Sequence, residues 1–82
     1  MNGDQARMAR AAVKLSVREV AERAKVSPNT VTRIEGGLPV NNSTMEAIRR
    51  VFEAIGVEFT NGDRPGVSLN QTVGKQKRQY NR

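Results

Sequence analysis

Apolar positions recur three and four apart from Met8 to Ile55, then switch to every second position after Gly56. Met8, Ala11, Ala12 and Leu15 predict a first helix from Asp4 to Lys14, with Asp4 at its positive end. Val20, Ala21 and Ala24 stripe a second helix. Its start, Ser16-Val17-Arg18-Glu19, is a capping box in which hydroxyl and carboxylate each serve the other's backbone N–H. Lys25-Val26 then turns the chain directly into Ser27. Ser27 suits an N-cap, Pro28 the first helical position, and Gly36 a left-handed stop. The helix between is about two turns long, with Val31 and Ile34 on one face. Pro28, Asn29, Thr32 and Arg33 fall on the other face, and Thr30 and Glu35 on the borders.

A fourth helix is expected from about Thr44 to Ile55, with Met45, Ile48, Val51, Phe52 and Ile55 as a core stripe. Ser43 with Glu46 reads as its capping box, and Gly56 as its end. In the loop before it, Leu38 and Val40 should tuck inward. Beyond Gly56, Val57-Glu58-Phe59-Thr60 and Val67-Ser68-Leu69-Asn70 alternate apolar with polar. Asn61 to Gly66 is dense in turn residues, so the segment predicts a β-hairpin with a six-residue loop. The expected fold is mainly α: four helices with a C-terminal β-hairpin. Residues 1–56 form the helical unit, 57–70 the hairpin, and 71–82 a disordered basic tail carrying Lys75, Lys77, Arg78 and Arg82.

Charge narrows the partners. Fourteen Lys plus Arg against eight Asp plus Glu give a net charge of +6 on 82 residues. Such a domain suits nucleic acid first and an anionic membrane surface second. No run approaches the ~20 apolar residues of a membrane span. The N-terminus lacks a signal-peptide core, so a cytoplasmic location is expected. The chain has no Cys and no His, which excludes disulfides and the usual zinc ligands. It also lacks the commonest general base, and no glycine-rich phosphate loop is present. An enzyme is not expected, nor a metal or cofactor.

The exposed groups of the third helix are those that hydrogen-bond base edges: Arg to guanine, Asn to adenine, Thr to either. The run Leu15-Ser16 … Glu19-Val20-Ala21 … Val26-Ser27 … Thr30-Val31 … Arg33-Ile34-Glu35-x-Gly37 resembles the lambda-repressor/Cro-like (XRE) family of helix-turn-helix regulators, over roughly residues 5–56. The resemblance makes Ala21 the small residue of close helix packing and Val26 the apolar turn residue. It also implies that Arg10 and Glu35 form an ion pair tying the first helix to the end of the third. There are departures. Val17 stands where the family commonly has a phosphate-binding Gln. Lys25 stands where it has Gly, at a cost if φ is positive. Pro28 replaces the first base-reading residue of many relatives.

The DNA-binding candidates are therefore Ser16, Ser27, Pro28, Asn29, Thr30, Thr32, Arg33, Asn41, Asn42 and Ser43. The last three are neutral donors that could bond phosphate or cap the fourth helix, with Ser43 favoured as the cap. The implied function is a sequence-specific regulator, Cro-like because no stretch reads as a ligand-sensing or cleavable domain. It would act as a homodimer on a palindromic operator, paired through Val57, Phe59, Val67 and Leu69 of the hairpin. The alternative is an antitoxin that holds a toxin and its own operator. RNA polymerase is a further partner to consider, through Arg18, Glu19 or Glu22.

Overall fold

The computed structural model describes residues 1–70, so the tail expected over 71–82 lies outside the described residues. The elements are α1 (Gly3–Val13), α2 (Val17–Ala24), α3 (Pro28–Glu35), α4 (Asn42–Ile55), β1 (Val57–Thr60) and β2 (Gly66–Leu69). The fold is mainly α with a C-terminal antiparallel hairpin, as the apolar periodicity predicts. Val57 pairs with Leu69, Phe59 with Val67 and Thr60 with Gly66. Because Gly66 joins β2, the loop runs only from Asn61 to Pro65.

One core joins all the helices to the hairpin. Ala6, Ala9, Val20, Ala21, Val31, Ile34, Ile48, Phe52 and Val57 are buried together. The face that α1 buries is only partly the expected one: Leu15 packs on the core and Ala12 is half-buried, but the deepest positions are others. Gln5, Ala6 and Ala9 point inward, whereas Met8 is 40% exposed and Ala11 is exposed. The cause is a backbone-to-backbone approach. A Cβ on Gly3 would lie 2.5 Å from the Ile34 carbonyl oxygen, so only the small-residue face of α1 can meet α3. In α4, Ile48 and Phe52 are fully buried, while Met45, Val51 and Ile55 are half-buried at its flanks.

Three ends also differ in detail. Gly36 is not left-handed (φ −86°); the left-handed glycine is Gly37, at φ 80°. Helix α4 starts earlier than Thr44 because Asn41, not Ser43, is the cap. Asn41 Oδ1 accepts the Thr44 N–H at 2.9 Å and the Ser43 hydroxyl at 3.0 Å. Glu46 pairs with Arg49 instead of closing a box. Leu38 is 51% exposed and does not tuck under the loop, whereas Val40 packs against the core.

The hairpin is bound to its own helices. Val57 is 2% exposed, and the Phe59 ring meets Phe52 edge-on at 6.3 Å. Val67 packs on the same core, leaving Leu69, 41% exposed, as the accessible large side chain of this face. The apolar face expected to pair with a second copy is thus mostly covered from within, because the strands follow α4 without a linker and fold back on α1. Gln5 fastens the other end. Its Nε2 donates to the Thr60 and Gly66 carbonyls at 2.6 and 3.0 Å. Its Oε1 accepts the Asn2 N–H at 2.9 Å, closing a capping box.

Candidate nucleic-acid interface

Helix α2 is set by its capping box. Ser16 Oγ accepts the Glu19 N–H at 3.0 Å, and Glu19 Oε1 accepts the Ser16 N–H at 2.8 Å. The Ser16 N–H, and then its hydroxyl, hold the Glu19 carboxyl below the usual carboxylate range. Lys25 ends α2 in the left-handed region, φ 61° and ψ 44°. A lysine there costs about 1 kcal/mol relative to an unstrained residue. That geometry lets the Val26 N–H return to the Ala21 carbonyl at 3.0 Å, so the chain enters α3 within three residues.

Ser27 caps α3, its Oγ accepting the Thr30 N–H at 3.2 Å and meeting Thr30 Oγ1 at 3.0 Å. Val31 and Ile34, each 1% exposed, anchor the helix. Pro28, Asn29, Thr32 and Arg33 are exposed, and Thr30 is half-buried. Thr32 Oγ1 donates back to the Pro28 carbonyl at 3.3 Å. Arg33 Nη2 donates to the Pro39 carbonyl at 3.0 Å, which links the outer face of α3 to the following loop. A guanidinium has five N–H donors, so this contact leaves others free to reach a base or phosphate. The Asn29 side chain makes no hydrogen bond among the described residues. Asn41, Asn42 and Ser43 continue the exposed polar surface at the start of α4, whose first turn carries no acidic residue. Ser16 is exposed at the start of α2.

Helix α3 is held from behind. Arg10 Nε donates to Glu35 Oε2 at 2.7 Å, and Arg10 Nη2 to Glu35 Oε1 at 3.0 Å. The Glu35 side chain is 10% exposed and that of Arg10 28%. Hydrogen bonding to Glu35 raises the Arg10 guanidinium further above its already high ordinary pKa. Arg7 also reaches this end of α3, donating to the Glu35 carbonyl, and pairs with Asp4. Sequence reasoning missed Gln5. The signal was present in Asn2-x-x-Gln5, a capping-box spacing at the start of α1.

A family model described as a helix-turn-helix domain matches residues 3–60. The chain belongs to this helix-turn-helix family. No curated protein matches it. The family match runs from the first residue of α1 to the last of β1, so it takes in the bracing helices as well as the α2–α3 pair. In this helix-turn-helix domain α3 buries the β-branched Val31 and Ile34 on one side and exposes Pro28, Asn29, Thr32 and Arg33 on the other. Among the described residues no cluster of His, Cys, Asp and Glu could hold a metal. No helix there is long and apolar enough to cross a membrane.

Proposed function

We propose that this helix-turn-helix protein is a sequence-specific regulator of lambda-repressor/Cro-like type that binds a palindromic operator as a homodimer. The observation that carries this reading is the exposed set Asn29, Thr32 and Arg33 on a helix braced by a two-bond ion pair at its far end. Arg33 reads guanine, Asn29 reads adenine, and Thr32 contacts either or a thymine methyl. Ser16, Asn41, Asn42 and Ser43 bond phosphate oxygens and set the register. The net charge of +6 supplies the sequence-independent attraction. Bound over a promoter, including its own, the protein excludes polymerase. Its work is binding, not catalysis.

A helix of two turns reads too few base pairs to find one site, and pairing doubles the readout across half-sites about 34 Å apart. Residues 57–70 can still supply the pairing. Leu69 and the outer edges of β1 and β2 are what remains available, Val57, Phe59 and Val67 being turned into the protomer's own core. The test is a footprint on DNA flanking the gene, followed by binding of Arg33→Ala to the wild-type and singly substituted operators. Loss of about 1–3 kcal/mol with relaxed preference at one base pair per half-site supports the reading. An unchanged specificity profile refutes base readout by Arg33.

A further inference from the structure

Away from α3, an open groove of about 580 Å³ runs between the end of α2 and the second half of α4. Val51, Ala54 and Ile55 give it an apolar floor, and Arg23, Lys25 and Arg50 stand around it. All three cations are exposed, and none makes a side-chain hydrogen bond or ion pair among the described residues; Arg23 only attracts the Glu19 carboxylate through space, one turn earlier on α2. This sets them apart from Arg7, Arg10 and Arg49, which are each held by a carboxylate. No acidic residue lines the groove, and none of its lining residues is a DNA-contact candidate.

We infer that this groove is a docking site for an acidic amphipathic helix of a partner protein. A helix presents apolar side chains at i, i+3, i+4 and i+7, which is what a shallow apolar floor between two helices accepts. Asp or Glu beside those anchors would meet Arg23, Lys25 and Arg50 across the rim, where like charges would be rejected. The volume accommodates a few aliphatic anchors. A second copy fits less well. Laid groove against groove, two protomers would set three cations against three. Of the chain's own large exposed side chains, Leu38 and Leu69 lie outside the helices, and the one carboxylate a turn from Met8, Asp4, is already paired with Arg7. The groove leaves the face of α3 clear, so partner and operator can be held together. The inference does not depend on the operator reading: peptide binding is read without DNA, and DNA affinity enters only as a control on the rim cations.

The probe is a fluorescein-labelled synthetic helix with Leu at i, i+3, i+4 and i+7 and Glu at the flanking positions. Its control has every Glu replaced by Lys. Anisotropy with the full-length protein should give a dissociation constant on the order of 10 μM for the acidic peptide and no saturation for the basic one. Methyl NMR shifts should centre on Val51, Ala54 and Ile55. Arg50→Glu and Ala54→Arg should each weaken binding at least tenfold while melting as the wild type does, and operator affinity should stay within twofold. Equal binding of both peptides, shifts centred elsewhere, or no saturation by the acidic peptide would overturn the assignment. So would self-association that Ala54→Arg abolishes, which would make the occupant a second copy. A loss of DNA affinity in Arg50→Glu would make the rim a phosphate site and likewise end the proposal.

Discussion

Replacing Arg10 by Met should cost more stability than replacing Glu35 by Gln, although both changes break the same ion pair. The asymmetry follows from what each leaves behind. Without Arg10, the Glu35 carboxylate stays 10% exposed and loses both side-chain donors. Without the Glu35 charge, Arg10 is 28% exposed, can turn toward water and keeps a long bond to the Leu15 carbonyl. The amide oxygen introduced by Glu35→Gln can also still accept one of the two hydrogen bonds. Breaking a buried pair from one side costs about 3–5 kcal/mol, and the residual exposure here places Arg10→Met near the lower bound, at about 3 kcal/mol. Glu35→Gln should cost about 1–2 kcal/mol. For a domain of this size about 4–8 °C of melting temperature goes with each kcal/mol, so Arg10→Met should lower it by about 12–24 °C. The raised pKa of Arg10 means that its contribution is present below the ordinary arginine value and lost only as pH rises through the still higher folded value. The difference between the two variants should therefore hold throughout the neutral range. Urea unfolding followed by circular dichroism measures both, and the double variant closes the cycle. An additive double variant, or Glu35→Gln costing more than Arg10→Met, would refute the reasoning.

Gly3→Ala should destabilise by about 1–3 kcal/mol, since the new Cβ would meet the Ile34 carbonyl at 2.5 Å and α1 would have to shift; an unchanged melting temperature would show that α1 moves freely. Lys25→Gly should stabilise by about 0.5–1 kcal/mol by relieving the left-handed lysine at φ 61°, and a destabilised variant would contradict this. The lowered Glu19 pKa stabilises the fold above the unfolded-state value and loses that contribution as pH falls through the folded one. The melting temperature of wild type should accordingly fall more than that of Glu19→Gln between pH ~5 and pH ~3, and parallel falls would mean that the box does not titrate.

What was legible in the sequence was local. The Ser16–Glu19 box, the Ser27-Pro28 start and the Val31/Ile34 anchor each depend on residues within one or two turns, and the same is true of the alternating strands after Gly56. What was not legible depends on distant chain. Alanines occur all round α1, so hydropathy alone cannot select its inner face; Gly3 against Ile34 does. Asn41, Asn42 and Ser43 are three successive residues able to cap, and the approach of the loop decides for Asn41. The hairpin's apolar residues gave no sign whether they would meet a partner or their own protomer. The answer lies in Gln5, more than fifty residues earlier, whose amide holds the mouth of the strands.

That amide also orders events in time. Contacts within α2 and α3 join neighbours in sequence and need no large loop to close, whereas Gln5 must find Thr60 and Gly66 across nearly the whole described chain. Closing so long a loop is entropically expensive until the helices have already assembled. The strands should therefore dock last on folding and detach first on local opening, with α2 and α3 still paired. Hydrogen exchange would register this as one early-exchanging unit made of β1, β2 and the first turn of α1, and Gln5→Ala would speed that unit alone. The α2–α3 pair then stays assembled while the clasp opens and closes, so any partner that captures the detached strands could act on the protein without first unmaking that pair.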